Sequence, residues 1–161
     1  MKKEDKFATH AFNEALKSEL HLKHGSIITK NGKIVATGYN KGNRTKIMGQ
    51  IHSCVHAEID AASKIVKVVS KQTGNNSRLM KKKLRNYEVW AVRACQIDNH
   101  KKVYGIRFSK PCNCCINKLK SLGFSKIAYS TNDGNIVHEK LDNMKGYSSS
   151  SQKKYGKHYR Y

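Results

Sequence analysis

Hydrophobic and polar positions divide the chain into stretches with different periods. Apolar residues recur at helical spacing over residues 7–22, with Gly25 soon after them, and again over residues 55–69. Each of these stretches predicts a helix with one buried face. A third helix is predicted over residues 111–124, because Pro111 is typical of a helix start and Gly123 of a helix end.

Short β-branched and alternating stretches lie between the predicted helices. Two such runs within residues 25–40 flank Asn31-Gly32, which is a strong hairpin signal. The apolar density of residues 87–95, "YEVWAVRAC", predicts a central strand. "SKIAYST" at 125–131 predicts the next strand, and after a turn at Asn132-Asp133-Gly134, "NIVHEKL" at 135–141 predicts an edge strand.

The remaining segments are polar and lack an apolar period. Residues 39–53 predict a loop, and residues 71–86 predict an exposed connection or a frayed helix end. The order of elements favours an α/β fold in which helices cover both faces of a sheet. We expect one folded domain over residues 1–142 and a basic Ser/Lys/Tyr tail over residues 143–161, which we expect to be mobile.

Length and hydropathy narrow the class of protein. A chain of 161 residues can bury a substantial core as one domain. No apolar run approaches the length of a membrane span, and "MKKEDKFATHAF" lacks the apolar middle of a secretory signal. We therefore expect no membrane partner and an intracellular location, cytoplasmic or nuclear, where thiols stay reduced.

The charge balance is strongly basic. Lys and Arg number 32 against 11 acids, so the formal net charge is +21. This charge indicates either a solvated lysine-rich surface or a face that attracts nucleotides or nucleic acid. Two basic segments, residues 78–85 and 153–160, are the candidate nucleic-acid contacts. In the second segment tyrosines interleave with cations, a pattern typical of single-strand binding surfaces.

Three of the five cysteines, Cys112, Cys114 and Cys115, lie together in "PCNCC". A disulfide framework, a reactive thiol and a metal site are the alternatives. The odd count and the strain of bridging adjacent residues argue against disulfides. On a helix, residues three apart share one face, so Cys112 and Cys115 could act together. Cys114 is then an idle neighbour, with a substitute ligand or a redox-sensitive thiol as alternatives.

"HAE" at 56–58 begins the second predicted helix and could complete a site with the cysteines. His56 offers a nitrogen, and three protein ligands with one position open for water are typical of catalytic rather than structural zinc. Glu58 lies two residues on, where it could accept a proton from that water without ligating. The alternatives are a simple helix-start histidine and an acid that complements the helix dipole.

Taken together, His56-Ala57-Glu58 and Pro111-Cys112-x-x-Cys115 resemble the H-x-E and P-C-x-x-C signature of the zinc-dependent cytidine/deoxycytidylate deaminase superfamily. The likeness covers roughly residues 5–140 and is greatest to the deoxycytidylate and tRNA-adenosine deaminases. It implies a three-layer α/β/α fold around a five-stranded mixed sheet. It also implies a homo-oligomer.

The resemblance further implies roles for single residues. His56, Cys112 and Cys115 would bind Zn²⁺, and Glu58 would shuttle protons. The backbone N–H of Ala57 would contact the pyrimidine carbonyl, and Asn40 of "GYN" would contact the sugar. The sequence departs from many deoxycytidylate deaminases at Asp60, where asparagine is common. Its overall character resembles small deaminase-like proteins of phages and large DNA viruses.

Three hypotheses about function follow. The first is a hydrolytic deaminase that converts a cytosine nucleotide or nucleoside, such as dCMP, to its uracil form and releases ammonia. The second is a deaminase acting on RNA or single-stranded DNA, whose backbone the basic surface would bind. The third is a catalytically silent deaminase-like protein that binds nucleic acid, against which the intact Glu58 argues.

Overall fold

The computed structural model describes residues 2–42, 45–52, 54–98 and 100–148. No helix within these ranges is both long and apolar enough to cross a membrane. The helices of the described chain are α1 (Lys3–Leu16), α2 (Ala57–Gln72), α3 (Ser77–Leu84) and α4 (Asn113–Leu122). The strands are β1 (Lys23–Lys30), β2 (Lys33–Tyr39), β3 (Thr45–Ile47), β4 (Gln50–His52), β5 (Glu88–Asp98), β6 (Val103–Arg107), β7 (Lys126–Ser130) and β8 (Ile136–Lys140).

One mixed sheet organises the molecule, with its strands in the order β2-β1-β5-β7-β8. β5 and β7 run parallel, whereas the other neighbours along this order are antiparallel. β6 pairs with the end of β5 beyond β7, and β3 and β4 form a separate short hairpin. The predicted mixed sheet is therefore confirmed, with β6 as an addition to its five strands.

Helices cover both faces of this sheet because the residues of β5 alternate between two cores. Trp90 and Val92 pack against α1 through Phe7 and Ala11. Val89 and Ala91 face the opposite side, in the core that α2 and α4 share. The three-layer α/β/α prediction is confirmed.

Two glycines bring helix backbones against the hairpin formed by β1 and β2. A Cβ on Gly25 would overlap the carbonyl oxygen of Ala11 in α1. A Cβ on Gly38 would lie 2.5 Å from the backbone nitrogen of Ala61 in α2. Because position 38 has no side chain, the first turns of α2 can lie directly on the sheet, and these turns carry the candidate site.

The first helix is shorter than predicted. It ends at Leu16, not at residue 22, because the chain turns at Ser18, whose hydroxyl donates to the carbonyl of Asn40 at 2.8 Å. Leu16 and Leu22, which extended the apolar period, are exposed. Two residues that sustained the pattern therefore lie outside the core.

Several elements appear in segments that we predicted to be irregular. Residues 71–86 contain α3, and its N-cap residue Asn76 accepts a side-chain hydrogen bond from the Leu79 N–H at 3.0 Å. Only Leu84 of α3 is buried, so the helix leaves no apolar period in the sequence. The predicted loop at 39–53 contains the β3–β4 hairpin, and β5 continues past its predicted end to pair with β6.

The third predicted helix is confirmed as α4, with its start moved. Cys112 is the N-cap, so Pro111 lies just before the helix and not in its first turn. Gly123 ends α4 with φ 108°, in the left-handed region that favours glycine.

The described part of the predicted tail packs against α4. Met144 is buried in the core beside α4, and the N–H of Asn113 donates to the carbonyl of Tyr147 at 2.9 Å. The Asn113 side chain accepts from the Gly146 N–H at 3.0 Å. Residues 149–161, including the basic segment 153–160, lie outside the described residues.

Candidate active site

The starts of α2 and α4 lie side by side, and each contributes its N-cap residue to one cluster. His56 caps α2 and Cys112 caps α4, both with extended backbone conformations. An N-cap side chain usually accepts a hydrogen bond from the first turn of its own helix. Neither His56 nor Cys112 makes that bond. Both side chains are instead directed at each other across the helix pair.

Cys115, in the first turn of α4, completes the cluster. His56 Nδ1 lies 3.4 Å from Cys112 Sγ and 3.2 Å from Cys115 Sγ, and the three atoms lie within 4.8 Å of one another. Ligands of a tetrahedral zinc with one nitrogen and two sulfurs are about 3.5 Å apart, from the usual bond lengths. The donor set and its spacing therefore fit zinc. Cys114 is outside this group.

The clustered groups are buried and shift one another's pKa values. A hydrogen bond from Cys115, followed by the bond and charge of His56, lowers the pKa of Cys112 to about 4. The same Cys112–Cys115 bond and burial raise the pKa of Cys115 well above its ordinary value. Burial acts to lower the pKa of His56, but the hydrogen bond and charge of Cys112 raise it above its ordinary value. A bound divalent cation would replace the protons of these side chains, because metal ligands must be deprotonated.

Glu58 lies beside the cluster in the first turn of α2. Its side chain is buried, and Cys115 Sγ approaches its Oε2 at 3.9 Å. Burial raises the pKa of Glu58 although the charge of His56 acts in the opposite direction. A carboxyl group whose pKa is raised towards neutrality can both accept and return a proton.

Asn40 and Ala57 both line the cavity that opens onto the cluster. The Asn40 side chain is held by backbone groups, since its Oδ1 accepts from the His24 N–H at 2.7 Å and its Nδ2 donates to the carbonyl of Leu22 at 2.6 Å. These bonds fix the start of β1 against the end of β2. Asn40 therefore shapes the cavity wall as well as facing it.

Asp60 joins the same region from α2. It is buried, and its Oδ2 accepts from the N–H of Tyr39 at 3.2 Å and from Lys64 Nζ at 3.3 Å. Its Oδ1 accepts from Lys41 Nζ at 3.0 Å. The aspartate thus ties both neighbours of Asn40 to the helix that carries Glu58.

The cavity has a volume of about 650 Å³, and the sequence analysis missed most of its wall. Two cations, two aromatic rings and one histidine are the principal additions: Arg93, Lys110, Phe108, Tyr147 and His24. Burial and the charge of Glu58 raise the pKa of Tyr147 to about 12, so its hydroxyl stays a donor. The one signal for these residues was the charged Arg93 within the apolar run "VWAVRAC".

The basic segment 78–85 lies away from this cavity. It forms most of α3 with Arg85, is largely exposed, and contributes no residue to the cavity wall. A nucleic-acid partner for this segment is not supported by the family to which the chain is similar or by its structural neighbours.

A family model described as the cytidine and deoxycytidylate deaminase zinc-binding region matches residues 1–131. A search of the curated proteins found no match. Among solved structures, a cytidine deaminase from Burkholderia pseudomallei is 16% identical with a TM-score of 0.54, covering 86% of this chain and 93% of that chain. A dCMP deaminase from the cyanophage S-TIM5 is 20% identical with a TM-score of 0.49, covering 81% of this chain and 86% of that chain.

Proposed function

Because the chain belongs to the cytidine and deoxycytidylate deaminase family, we propose that it is a zinc-dependent hydrolytic deaminase of a cytosine nucleotide or nucleoside. The reaction adds water to the base, gives the uracil form and releases ammonia. The observation that carries this proposal is the buried His56, Cys112 and Cys115 group with the Glu58 carboxyl beside it, at the wall of a ligand-sized cavity.

The three clustered residues would hold the metal in this proposal, and Glu58 would move the protons. When bound, zinc is a Lewis acid that allows water to ionise near neutral pH. The Glu58 carboxylate accepts a proton from the water that attacks C4 and delivers it to N3 of the ring. The same carboxylate then passes the proton of the new C4 hydroxyl to the amino group, which leaves as ammonia while the C4 carbonyl forms. Proton transfer of this kind contributes roughly 10²- to 10⁴-fold to a rate.

The substrate would be held by backbone and side-chain groups around the cluster. The Ala57 N–H, in the first turn of α2, has no intrahelical carbonyl to bind, so it can donate to the C2 carbonyl of the base. Asn40 retains one unused donor hydrogen and one unused lone pair for a sugar hydroxyl. The rings of Phe108 and Tyr147 supply apolar walls for the base and sugar.

A panel of monomers tests the proposal. Ammonia release is measured from dCMP, CMP, deoxycytidine and cytidine with zinc-loaded protein, alongside Glu58→Gln. We expect release from at least one monomer and a fall in kcat of about 10²- to 10⁴-fold in the variant, with zinc content unchanged. Fully zinc-loaded protein that leaves all four monomers intact would exclude this function.

No specific observation favours a polynucleotide substrate or a catalytically silent binding protein. Deamination of cytosine-containing RNA or single-stranded DNA, run in the same panel, would reveal the first alternative. Thiol ligands require reduced cysteines, which suits the interior of a cell. The domain limits at residue 142 and the homo-oligomer stay predictions, for which limited proteolysis and light scattering are the measurements.

A further inference from the structure

We propose that Arg93 and Lys110 form a subsite for the terminal phosphate of a nucleoside monophosphate. The substrate is then the nucleotide and not the free nucleoside. This inference rests on the proposed function, because the phosphate subsite and the candidate metal cluster share one cavity.

Arg93 carries a buried polar atom without a partner. Its Nε has less than 1 Å² of exposed area and no hydrogen bond, a condition that among the described residues it shares with Ser26 Oγ. Arg93 also takes part in none of the ion pairs found among the described residues. A buried guanidinium nitrogen without an acceptor is costly, so the presence of this Nε beside a cavity indicates an acceptor that arrives with a ligand.

The register of the sheet places Arg93 on the site face. It lies on β5 directly opposite His24 of β1, and it shares its face with Val89 and Ala91, which contact the α2 and α4 core. Burial, followed by the charge of Arg93, lowers the pKa of His24 to about 4. His24 is therefore neutral near pH 7 and leaves the positive charge of Arg93 available to a ligand.

Lys110 is the second cation in the wall, and its existing contacts are weak. Its Nζ lies 3.8 Å from a Glu139 oxygen and 5.7 Å from the centre of the Tyr129 ring. The one carboxylate in the wall among the described residues is Glu58, which lies at the metal cluster. The cavity therefore presents two cations to a ligand, whereas its one described acid, Glu58, lies beside the candidate metal cluster.

A phosphate dianion matches this arrangement. The planar guanidinium group of arginine can donate two parallel hydrogen bonds to phosphate, and a lysine can add a second charge. The cavity volume of about 650 Å³ lies within the range of ligand pockets. Because Nε is buried, a terminal phosphate that enters the cavity with its nucleotide suits it better than the backbone of a strand lying across the surface.

Product binding tests the inference without turnover. Calorimetry on the zinc-loaded full chain compares dUMP with deoxyuridine, and UMP with uridine because the sugar is not fixed. We expect the better monophosphate to bind about 10- to 100-fold more tightly than its nucleoside, the worth of charge-assisted hydrogen bonds. Arg93→Gln should abolish that ratio while nucleoside binding stays within about threefold. Arg93→Lys should retain part of it.

Arg107 supplies the matched control. It is an exposed arginine paired opposite Arg93 on β6, and it does not line the cavity. Arg107→Gln makes the same change in net charge and should leave the monophosphate preference intact. An equal loss in both variants would show a general charge effect and would overturn the subsite.

The remaining outcomes separate this inference from the proposed function. Equal binding of monophosphate and nucleoside by the wild-type protein overturns the subsite even when deamination is observed. Deamination of no monomer refutes the proposed function, yet an Arg93-dependent preference for dUMP still supports the subsite. A cytosine-containing strand deaminated as efficiently as dCMP, with the same Arg93 dependence, overturns the monophosphate assignment. If Arg93→Gln does not fold, the subsite is tested by the ratio of monophosphate to nucleoside affinity in the wild-type protein and in Arg93→Lys.

Discussion

Replacing Asp60 by alanine should weaken both the fold and the ligand cavity. The carboxylate is buried in α2, and its three bonds come from the N–H of Tyr39 and from the side chains of Lys41 and Lys64. Tyr39 and Lys41 flank Asn40 in the cavity wall. Loss of the Asp60 carboxylate therefore releases the end of β2 from the helix that carries Glu58.

The loss of stability in Asp60→Ala depends on which partners of the carboxylate can be solvated again. The side chains of Lys41 and Lys64 are 29% and 49% exposed, so they regain solvation and each pair is worth about 0–1 kcal/mol. The Tyr39 N–H loses its acceptor in a partly buried position, and a donor left unsatisfied in this way costs about 1–3 kcal/mol. Together these contributions give about 1–5 kcal/mol, or about 2–20 °C in Tm for a chain of this size.

Asp60→Asn provides the matched comparison, because its amide oxygen can still accept from Tyr39 while the ion pairs are lost. We expect this variant to cost about 1 kcal/mol, close to Lys64→Ala. Urea unfolding of zinc-loaded protein measures all three variants, and nucleotide binding reports on the cavity. A cost below about 1 kcal/mol for Asp60→Ala, or equal costs for alanine and asparagine, would refute the assignment of the loss to the Tyr39 donor.

Three further outcomes are expected. Cys115→Ser should lose most of its zinc on dialysis while Cys114→Ser keeps it, as measured by metal analysis; retention by both would contradict the ligand assignment. A valine at Gly146 would bring Cβ within 2.7 Å of Ile116 Cδ1, displace the Tyr147 segment and weaken product binding about 2- to 10-fold, with unchanged affinity arguing against an aromatic contact. Burial and the charge of Arg93 lower the pKa of His24 from 6.5 to about 4. Between pH 4 and pH 6.5, His24 therefore binds a proton more readily in the unfolded chain than in the folded protein. The free energy of unfolding should therefore fall as pH decreases from about 6.5 to about 4, by up to about 3 kcal/mol, and by less in a His24→Gln variant.

The sequence pattern was informative where one buried face or one turn type dominated. Asn31-Gly32 specified the hairpin, and the apolar stripe from Ile59 to Val69 specified α2. It failed where packing did not depend on periodicity. α3 buries only Leu84, and β6 is a partly exposed strand held by pairing with β5.

Some residues of the candidate site could likewise be predicted from the sequence, and others could not. His56, Cys112 and Cys115 could be proposed from spacing because each lies at a helix start, where local geometry alone places the side chain. Arg93 and Tyr147 could not, since strand register brings one to the cavity and packing against α4 brings the other. Tertiary contacts of this kind leave no local period in a sequence.

The order in which the site is completed follows from the contact of Asn113 with Gly146 and Tyr147. During synthesis His56 leaves the ribosome 56 residues before Cys112, and Asn113 leaves it 33 residues before Gly146. The three candidate zinc ligands therefore emerge while the cavity still lacks its Tyr147 wall. If this group binds zinc as proposed, a nascent chain arrested between these points presents the ligands in an open cleft, and metal loading can precede closure of the cavity.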